Sequence, residues 1–192
     1  MIAADLAREL EARGAIEDGH FRLSSGRHSP RFVQKFRILE DPQLVESVAR
    51  ALVAKIAGFG AGSPTVVVSA AVGGIVLGFE VARQLGVRAI FVEKEGGRTA
   101  LRRGFALRPG DRALVVEDVI TTGLSVREVL ATIAAKGALV IAVGAIVARA
   151  PIDFGVPTAV LLELPIESFE ASECPQCRAH EPITEPGSRF LG

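Results

Sequence analysis

The sequence has no excess of charge of either sign, because 22 Lys and Arg residues balance 22 Asp and Glu residues. A protein without net positive charge has no electrostatic support for general binding to nucleic acid or to an anionic membrane. We therefore expect no nucleic-acid partner and no membrane partner. Any phosphate group must be recognised by a local arrangement of residues.

The sequence also lacks long apolar runs, internal repeats and low-complexity segments. No run approaches the roughly 20 apolar residues that span a bilayer, and the N-terminus carries acids where a signal sequence would have a basic start and an apolar core. A length of 192 residues suits one domain with a full hydrophobic core. We expect a single cytoplasmic domain over residues 1–192.

Cysteine is scarce, and both cysteines lie in the motif Cys174-Pro175-Gln176-Cys177. Cys-x-x-Cys can ligate zinc, but a structural zinc site needs four ligands and this segment offers one nearby histidine, His180. We therefore expect a disulfide or a free pair of thiols, and a reducing cytosol disfavours the disulfide outside thermophiles. The residues that follow are expected to form a docked, loop-like end.

The most informative segment begins with an apolar run, Ala113 to Val116, which is followed directly by Glu117 and Asp118. The run has no alternation, which predicts a strand buried on both faces that emerges at a solvent-facing sheet edge, where the acids lie. Small and hydroxylated residues follow, and a helical spacing of apolar residues from Val126 predicts a helix that Gly137 closes.

The turn of this segment would present backbone N–H groups and the positive end of the helix dipole, which suits a phosphate. The two acids beside it would suit ribose hydroxyls and a magnesium ion. The alternative is an ordinary buried strand and turn, in which the acids have no chemical role.

Strands and helices alternate along the rest of the chain. Apolar runs predict strands over 65–69, 88–92, 138–147 and 158–162, and helical stripes predict helices over 2–13, 41–58 and 75–85. Asp41-Pro42 is typical of a helix start, and Gly86 of a helix end. This alternation predicts a parallel sheet covered on both faces, with ligands beyond the carboxyl ends of its strands where the strand order reverses.

The eleven residues from Val115 to Ser125 resemble the phosphoribosyl-pyrophosphate (PRPP) signature of the type I phosphoribosyltransferases, in which two acids precede Val-Ile-Thr-Thr-Gly. A Walker loop is excluded because no Gly-Lys-Ser/Thr follows, and a dinucleotide fingerprint because no G-x-G-x-x-G opens a helix. The resemblance implies an α/β fold with an open parallel sheet flanked by helices. It further implies an N-terminal hood over residues 1–40, an α/β core over 41–165 and a tail over 166–192.

Two further segments resemble the orotate phosphoribosyltransferases within this family. Residues 21–29 read Phe-x-Leu-x-Ser-Gly-Arg-x-Ser around a predicted hairpin turn, like the hood that folds over the base. Arg149 follows an apolar strand, as does the family arginine that pairs with the orotate carboxylate, a contact that suits a planar guanidinium. Without the resemblance, the hairpin would be a polar surface feature and Arg149 a cap on a strand edge.

The resemblance implies transfer of phosphoribose from PRPP to orotate, which gives orotidine monophosphate and pyrophosphate, with Mg²⁺, in the biosynthesis of UMP. It implies catalytic roles for Glu117, Asp118, Lys94, Arg98, Arg102 and Arg103. It implies PRPP binding by Val72, Gly73, Lys94, Glu117, Asp118, Val119, Ile120, Thr121, Thr122, Gly123, Leu124 and Ser125. It implies orotate binding by Thr121, Arg149, Ser25 and Phe32. Protein side chains alone would not hold the Mg²⁺, which PRPP would hold near the two acids.

Some positions depart from the family pattern. Ser24 stands where many relatives have a lysine in the hood, and Val72-Gly73 stands where they have x-Lys, so two phosphate-binding cations are missing. One alternative is therefore a phosphoribosyltransferase for another base, such as a purine. Another is a PRPP-sensing regulator with the same fold, although such regulators usually carry a basic surface or an added binding domain.

The segment from Glu95 to Gly104 is charged, contains glycines near both ends, and shows no sustained strand or helix pattern. This pattern predicts a hinged lid, and the alternative is a solvated loop with no task. The resemblance implies a homodimer with shared active sites, in which this loop closes over the site of the neighbouring subunit. Many relatives carry a Lys-x-His motif in this loop, and arginines would take its place here.

Overall fold

The computed structural model describes residues 3–23, 25–95 and 98–186. Its elements are α1 (Ala3–Ala12), β1 (Ile16–Arg22), β2 (His28–Val33), α2 (Phe36–Leu39), α3 (Pro42–Ala57), β3 (Val66–Ala70), α4 (Gly73–Leu85), β4 (Arg88–Glu95), β5 (Arg98–Leu101), β6 (Arg112–Ile120), α5 (Leu124–Ala134), β7 (Leu139–Ala148), β8 (Thr158–Glu163) and α6 (Pro175–Arg178). Ser24, Gly96, Gly97 and the side chain of Arg98, all used in the sequence analysis, lie outside the described residues.

The core is a six-stranded sheet in the order β5-β4-β3-β6-β7-β8. Neighbouring strands are parallel from β4 to β8, whereas β5 pairs antiparallel with β4 at one edge. The predicted α/β class with a parallel sheet is confirmed. The chain passes from β3 outwards to β4 and later returns to the other side of β3 as β6, so the strand order reverses between β3 and β6.

Helices cover both faces of this sheet, which explains why the β6 run lacks alternation. Leu114 and Val116 point into one buried cluster together with Leu52 of α3 and Leu77 of α4. Val115 points into the opposite cluster, which α5 covers. Burying each such side chain stabilises the fold by about 1.5–3 kcal/mol.

The helix ends follow the predicted signals. The Asp41 carboxylate accepts hydrogen bonds from the backbone N–H groups of Gln43 at 2.9 Å and Leu44 at 3.2 Å, with Pro42 at the first helical position. Gly86 ends α4 with a φ of 67°, which a residue with a Cβ rarely adopts. Among the described helices, none is both long enough and apolar enough to cross a bilayer.

The N-terminal hairpin of β1 and β2 is antiparallel, as predicted, and a tail segment runs along it. The Thr184 N–H donates to His20 O at 2.8 Å, and the N–H and C=O groups of His28 and Phe169 exchange two hydrogen bonds of 2.8 Å. These bonds place the described part of the tail against the hairpin. They also bring the hairpin histidines to Cys174 and Cys177, so the expectation that the cysteines have only His180 near them was wrong.

Candidate active site

Three predicted site segments lie at one edge of the sheet because the strands before them are parallel neighbours. The turn after β3, the carboxyl-terminal half of β6 with the turn that follows it, and Arg149 after β7 all lie at the carboxyl-terminal edge of adjacent strands. This edge is also where the strand order reverses, which is the usual ligand position in open α/β sheets. The sheet topology therefore brings these predicted residues together.

Glu117 and Asp118, which we call the acid pair, lie inside β6 and not at its end, because the strand continues to Ile120. Their exposed fractions are 7% and 2%. The prediction that both acids sit at a solvent-facing strand end was therefore wrong. Apolar Val119 and Ile120 prolong the strand, and pairing of Val119 with Val147 of β7 holds that extension in the sheet.

Burial and the neighbouring Asp118 carboxylate raise the pKa of Glu117 from its ordinary value of 4.5 to about 8. Removal from water disfavours the ionised form, and a second negative charge disfavours it further. The backbone N–H of Asp118, which donates to Glu117 Oε1 at 3.1 Å, offsets only part of this effect. The raised pKa therefore favours the protonated form of Glu117 beside Asp118.

Lys35 is a site residue that the sequence analysis missed. Its Nζ lies 2.9 Å from Asp118 Oδ2. Among the described residues, Oδ2 accepts no hydrogen bond of good geometry, so its contact with Lys35 is an ion pair without a directed hydrogen bond. Lys35 follows β2 in a polar segment with no periodicity, and only the path of the chain places it beside the acid pair.

Gly73, at the start of α4, leaves the space that Asp118 occupies. A Cβ built at Gly73 would lie 1.7 Å from Asp118 Oδ2 and 2.7 Å from Lys35 Nζ. Any larger residue would displace this carboxylate or the ion pair. Glycine at this position therefore permits the observed position of the Asp118 carboxylate and its ion pair with Lys35.

The turn after β6 is open to solvent. Glu117 and residues 119–126 line a shallow pocket there. Gly123 occupies the N-cap position of α5 with a φ of 76° and has no side chain to cap the helix. The first N–H groups of α5 thus face a cavity of the kind that accepts an anion at a helix N-terminus.

Arg149 extends from the end of β7 to the N-terminal hairpin. Its Nη2 donates to Ser29 Oγ at 3.2 Å, and burial lowers the pKa of the guanidinium. Ser29 is fully buried, and its Oγ lies 2.8 Å from Arg31 O and 3.0 Å from Glu167 O, which share its one hydroxyl proton as acceptors. The structure therefore joins the predicted carboxylate-binding arginine to the predicted hood.

The other two hood residues lie on the same hairpin. The Phe32 ring packs against that of Phe21, with ring centroids 5.7 Å apart. Ser25 is exposed in the hairpin turn. Contact of either side chain with a base stays a prediction.

The predicted lid is a β-hairpin, so the expectation that this segment has no strand was wrong. β5 pairs with β4 from Val92 opposite Leu101 to Glu95 opposite Arg98. β5 has only four residues, which is too few to show a periodic apolar pattern, and its register is set by pairing with β4. Whether the hairpin moves stays a prediction.

Two of the predicted lid cations are paired with acids close to them in the fold. Lys94 Nζ lies 3.1 Å from Glu128 of α5, and Arg103 makes two hydrogen bonds of 2.9 and 3.0 Å to Glu93. The cation beside the acid pair is instead Lys35. Lys94 and Arg103 would have to exchange these partners to reach a ligand.

Comparison with known proteins identifies the family. A model of the phosphoribosyl transferase domain matches residues 36–153. The chain belongs to the phosphoribosyltransferase family. The orotate phosphoribosyltransferase of Pelotomaculum thermopropionicum is 44% identical to this phosphoribosyltransferase over 193 residues, which is 100% of each chain. The orotate phosphoribosyltransferase of Heliobacterium modesticaldum is 47% identical over 187 residues, which is 96% of each chain.

Solved structures agree with this membership. The orotate phosphoribosyltransferase from Aeropyrum pernix has a TM-score of 0.70 at 28% identity, covering 83% of this phosphoribosyltransferase and 93% of that chain. The adenine phosphoribosyltransferase from Thermoanaerobacter pseudethanolicus has a TM-score of 0.59 at 17% identity, covering 69% of this chain and 88% of that one. At 17% identity, the similarity to the adenine phosphoribosyltransferase supports only a shared fold.

Proposed function

We propose that this phosphoribosyltransferase transfers phosphoribose from PRPP to orotate, giving orotidine monophosphate and pyrophosphate in the biosynthesis of UMP. The observation that carries the proposal is the hydrogen bond of Arg149 to Ser29, which joins a cation for the base carboxylate to the hairpin predicted to cover the base. Relatives that cover the hairpin as well as the core bear the name orotate phosphoribosyltransferase.

PRPP would bind with its 5′-phosphate in the cavity after β6. The N–H groups of the turn from Thr121 to Ser125 would donate to the phosphate oxygens, and the N-terminal end of the α5 dipole would favour the negative charge. The acid pair would then lie beside the ribose. Val72 and Gly73 would face the pyrophosphate from the turn after β3.

The reaction breaks the bond between the ribose anomeric carbon and pyrophosphate and forms a bond from that carbon to a ring nitrogen of orotate. Positive charge develops on the ribose as pyrophosphate departs, and the buried negative charge of the acid pair stabilises it. The proton at Glu117 leaves this residue able to donate a hydrogen bond to a ribose hydroxyl. Lys35 would hold the Asp118 carboxylate in its orientation through their ion pair.

Magnesium fits this site as a companion of the substrate. The acid pair is buried, and Asp118 already faces Lys35, so the described residues of this site offer no open set of carboxylates like that of a dedicated metal site. PRPP oxygens would hold the Mg²⁺ near Glu117 and Asp118. When bound, the ion would neutralise charge on the departing pyrophosphate.

Orotate would be bound between Arg149, Thr121 and the hairpin residues Ser25 and Phe32. A guanidinium can form a bidentate pair with the base carboxylate. Arg149 is half-buried, so water would screen this contact less than it screens a pair at the surface. One domain would then comprise a hood (residues 1–40), a core (residues 41–165) and a tail (residues 166–192).

We also propose a homodimer in which β4 and β5 close over the partner's site. Val72, Val76 and Phe79 form an apolar stripe at the start of α4 and are 71%, 45% and 64% exposed. A second copy covering this stripe would lie next to the turn that faces the pyrophosphate. The leaving group would then receive its cations from Lys94, Arg98, Arg102 and Arg103. A cytoplasmic location would fit the small-molecule substrates.

The test is to incubate the protein with PRPP, Mg²⁺ and one base at a time, and to measure pyrophosphate release. We expect release with orotate and none with adenine, guanine, hypoxanthine or uracil. Release with a purine alone would identify the protein as a phosphoribosyltransferase for that base. PRPP binding without release from any base would indicate a regulator of the same fold.

A further inference from the structure

A second cluster of chemically reactive side chains lies outside the proposed active site, between the N-terminal hairpin and the tail. His20 of β1, His28 of β2, and Cys174 and Cys177 at α6 turn their nitrogen and sulfur atoms towards one point. One ligand atom from each residue lies within 4.8 Å of the other three. His20, His28 and Cys174 are buried, and Cys177 is partly buried.

Four of the six distances between ligand atoms in this cluster are close to the edges of a metal tetrahedron. His20 Nε2 lies 3.1 Å from His28 Nδ1 and 3.4 Å from Cys174 Sγ, and Cys177 Sγ lies 3.2 Å from His28 Nδ1 and 3.7 Å from His20 Nε2. Zinc bonds of about 2.0–2.1 Å to nitrogen and about 2.3 Å to sulfur give edges of about 3.3–3.8 Å in a regular tetrahedron. A small ion therefore fits between the four atoms without a change of fold.

The hydrogen bonding of His20 orients it as a metal ligand. Its Nδ1 lies 3.0 Å from the carbonyl oxygen of Glu181, an acceptor, so Nδ1 carries the proton and Nε2 of the neutral ring has a lone pair. Three atoms then surround that single lone pair: His28 Nδ1, Cys174 Sγ and Cys177 Sγ. A histidine that donates its outer N–H to a carbonyl and turns its other nitrogen inwards is typical of metal sites.

We propose that His20, His28, Cys174 and Cys177 bind one Zn²⁺ ion as a closed structural site. Two thiols and two imidazoles in a tetrahedron form the donor set that selects zinc. On binding, each cysteine releases its thiol proton to water and coordinates as a thiolate. Four protein ligands leave no open position, so the ion has no catalytic role.

The site links two segments that are far apart in the sequence. It adds a metal crosslink to the backbone hydrogen bonds between His28 and Phe169 and between His20 and Thr184. Because a metal that binds only the folded chain stabilises that state, zinc would hold the tail on the hairpin. The hairpin carries Ser29, so the crosslink also supports the partner of Arg149.

The experiment measures the zinc content of the full chain, purified in reductant without chelator, and of single variants. Cys174→Ser and Cys177→Ser remove thiolates, and His180→Asn is the matched control. His180 follows α6, is exposed and lies outside the cluster, and asparagine tolerates its φ of 55°. We expect about one zinc per wild-type and His180→Asn chain, none in the cysteine variants, and a lower melting temperature after zinc removal.

Treating the folded wild type with a thiol-specific mercurial keeps the test decisive if the cysteine variants fail to fold. Zinc released in step with modification of the two thiols, and detected by a chromogenic chelator, would support the site. The proposal is overturned if the wild type neither contains zinc nor takes up an added equivalent under reducing conditions. A disulfide between Cys174 and Cys177 in the freshly purified protein, or full zinc retention in Cys177→Ser, would also overturn it.

Discussion

Burial beside Asp118 raises the pKa of Glu117 from 4.5, its value in the unfolded chain, to about 8 in the folded protein. The folded protein therefore keeps the Glu117 proton at pH values at which the unfolded chain loses it. Between these pH values the folded state binds one more proton than the unfolded state, so its stability falls as the pH rises. The free energy of unfolding should lose up to about 1.4 kcal/mol per pH unit from this group.

Glu117→Gln should remove this pH dependence. The variant resembles the protonated acid, so it should match the wild type near pH 4.5 and become progressively more stable than the wild type towards pH 8. Denaturant unfolding of both proteins across this range measures the difference. Parallel curves would show that Glu117 is ionised in the folded protein.

Arg149→Ala tests the proposed contact with the base carboxylate. A charge-assisted bidentate pair contributes about 1.5–3 kcal/mol, so orotate affinity should fall roughly tenfold to a hundredfold. PRPP affinity should change little. The control is Arg50→Ala, which removes an arginine from the exposed face of α3. Calorimetric titration with each ligand would distinguish this role from that of a purely structural arginine, whose loss would weaken both ligands alike.

At the scale of elements, the hairpin of β4 and β5 holds its cations in exposed ion pairs. The Lys94 and Arg103 side chains are 53% and 67% exposed. Exposed pairs typically contribute less than about 1 kcal/mol, so a pyrophosphate group can take these cations from Glu128 and Glu93 at small cost.

The combined variant Arg98→Ala, Arg102→Ala, Arg103→Ala should therefore lower the turnover number and leave the melting temperature nearly unchanged. Arginine does not give up a proton near neutral pH, so these residues would act on pyrophosphate by charge and hydrogen bonding. Steady-state kinetics and thermal unfolding provide the two measurements. Native turnover in the triple variant would remove the hairpin from the mechanism.

At the scale of the whole molecule, mixing two inactive variants tests whether subunits share sites. Asp118→Asn alone should lower turnover roughly a hundredfold or more, because it removes electrostatic stabilisation at the ribose. Mixed and reassociated with the triple arginine variant, it should recover up to about a quarter of native activity, which corresponds to one competent site per mixed dimer. No recovery after proven subunit exchange would mean that each site belongs to one chain.

The sequence predicted the features that depend on local pattern. Five strands of the sheet, the Asp41 and Gly86 helix ends and the turn before α5 follow from periodicity and turn chemistry. β5 was not predicted because a strand of four residues is too short to show a periodic pattern, and its conformation depends on pairing with β4.

The site features that escaped prediction depend on contacts between distant segments. Lys35 reaches Asp118 across more than eighty positions, and no spacing rule connects the two. The depth of the acid pair depends on how far β7 extends beside β6. His20 and His28 lie about 150 positions from the cysteines, so only the docking of the tail brings the four side chains together.

The docking of the tail also bears on the order in which the molecule is completed. Hydrogen bonds between the hairpin and the tail join residues 138 (Ser29 to Glu167) to 164 (His20 to Thr184) positions apart, and the tail residues leave the ribosome after every strand of the sheet. Contacts of such separation form late, since a long loop must close first. The end of the molecule that would recognise the base is therefore the last to fold. Pulsed hydrogen exchange during refolding should find the amides of Arg22 and His28, which donate to the tail, protected after those of β6.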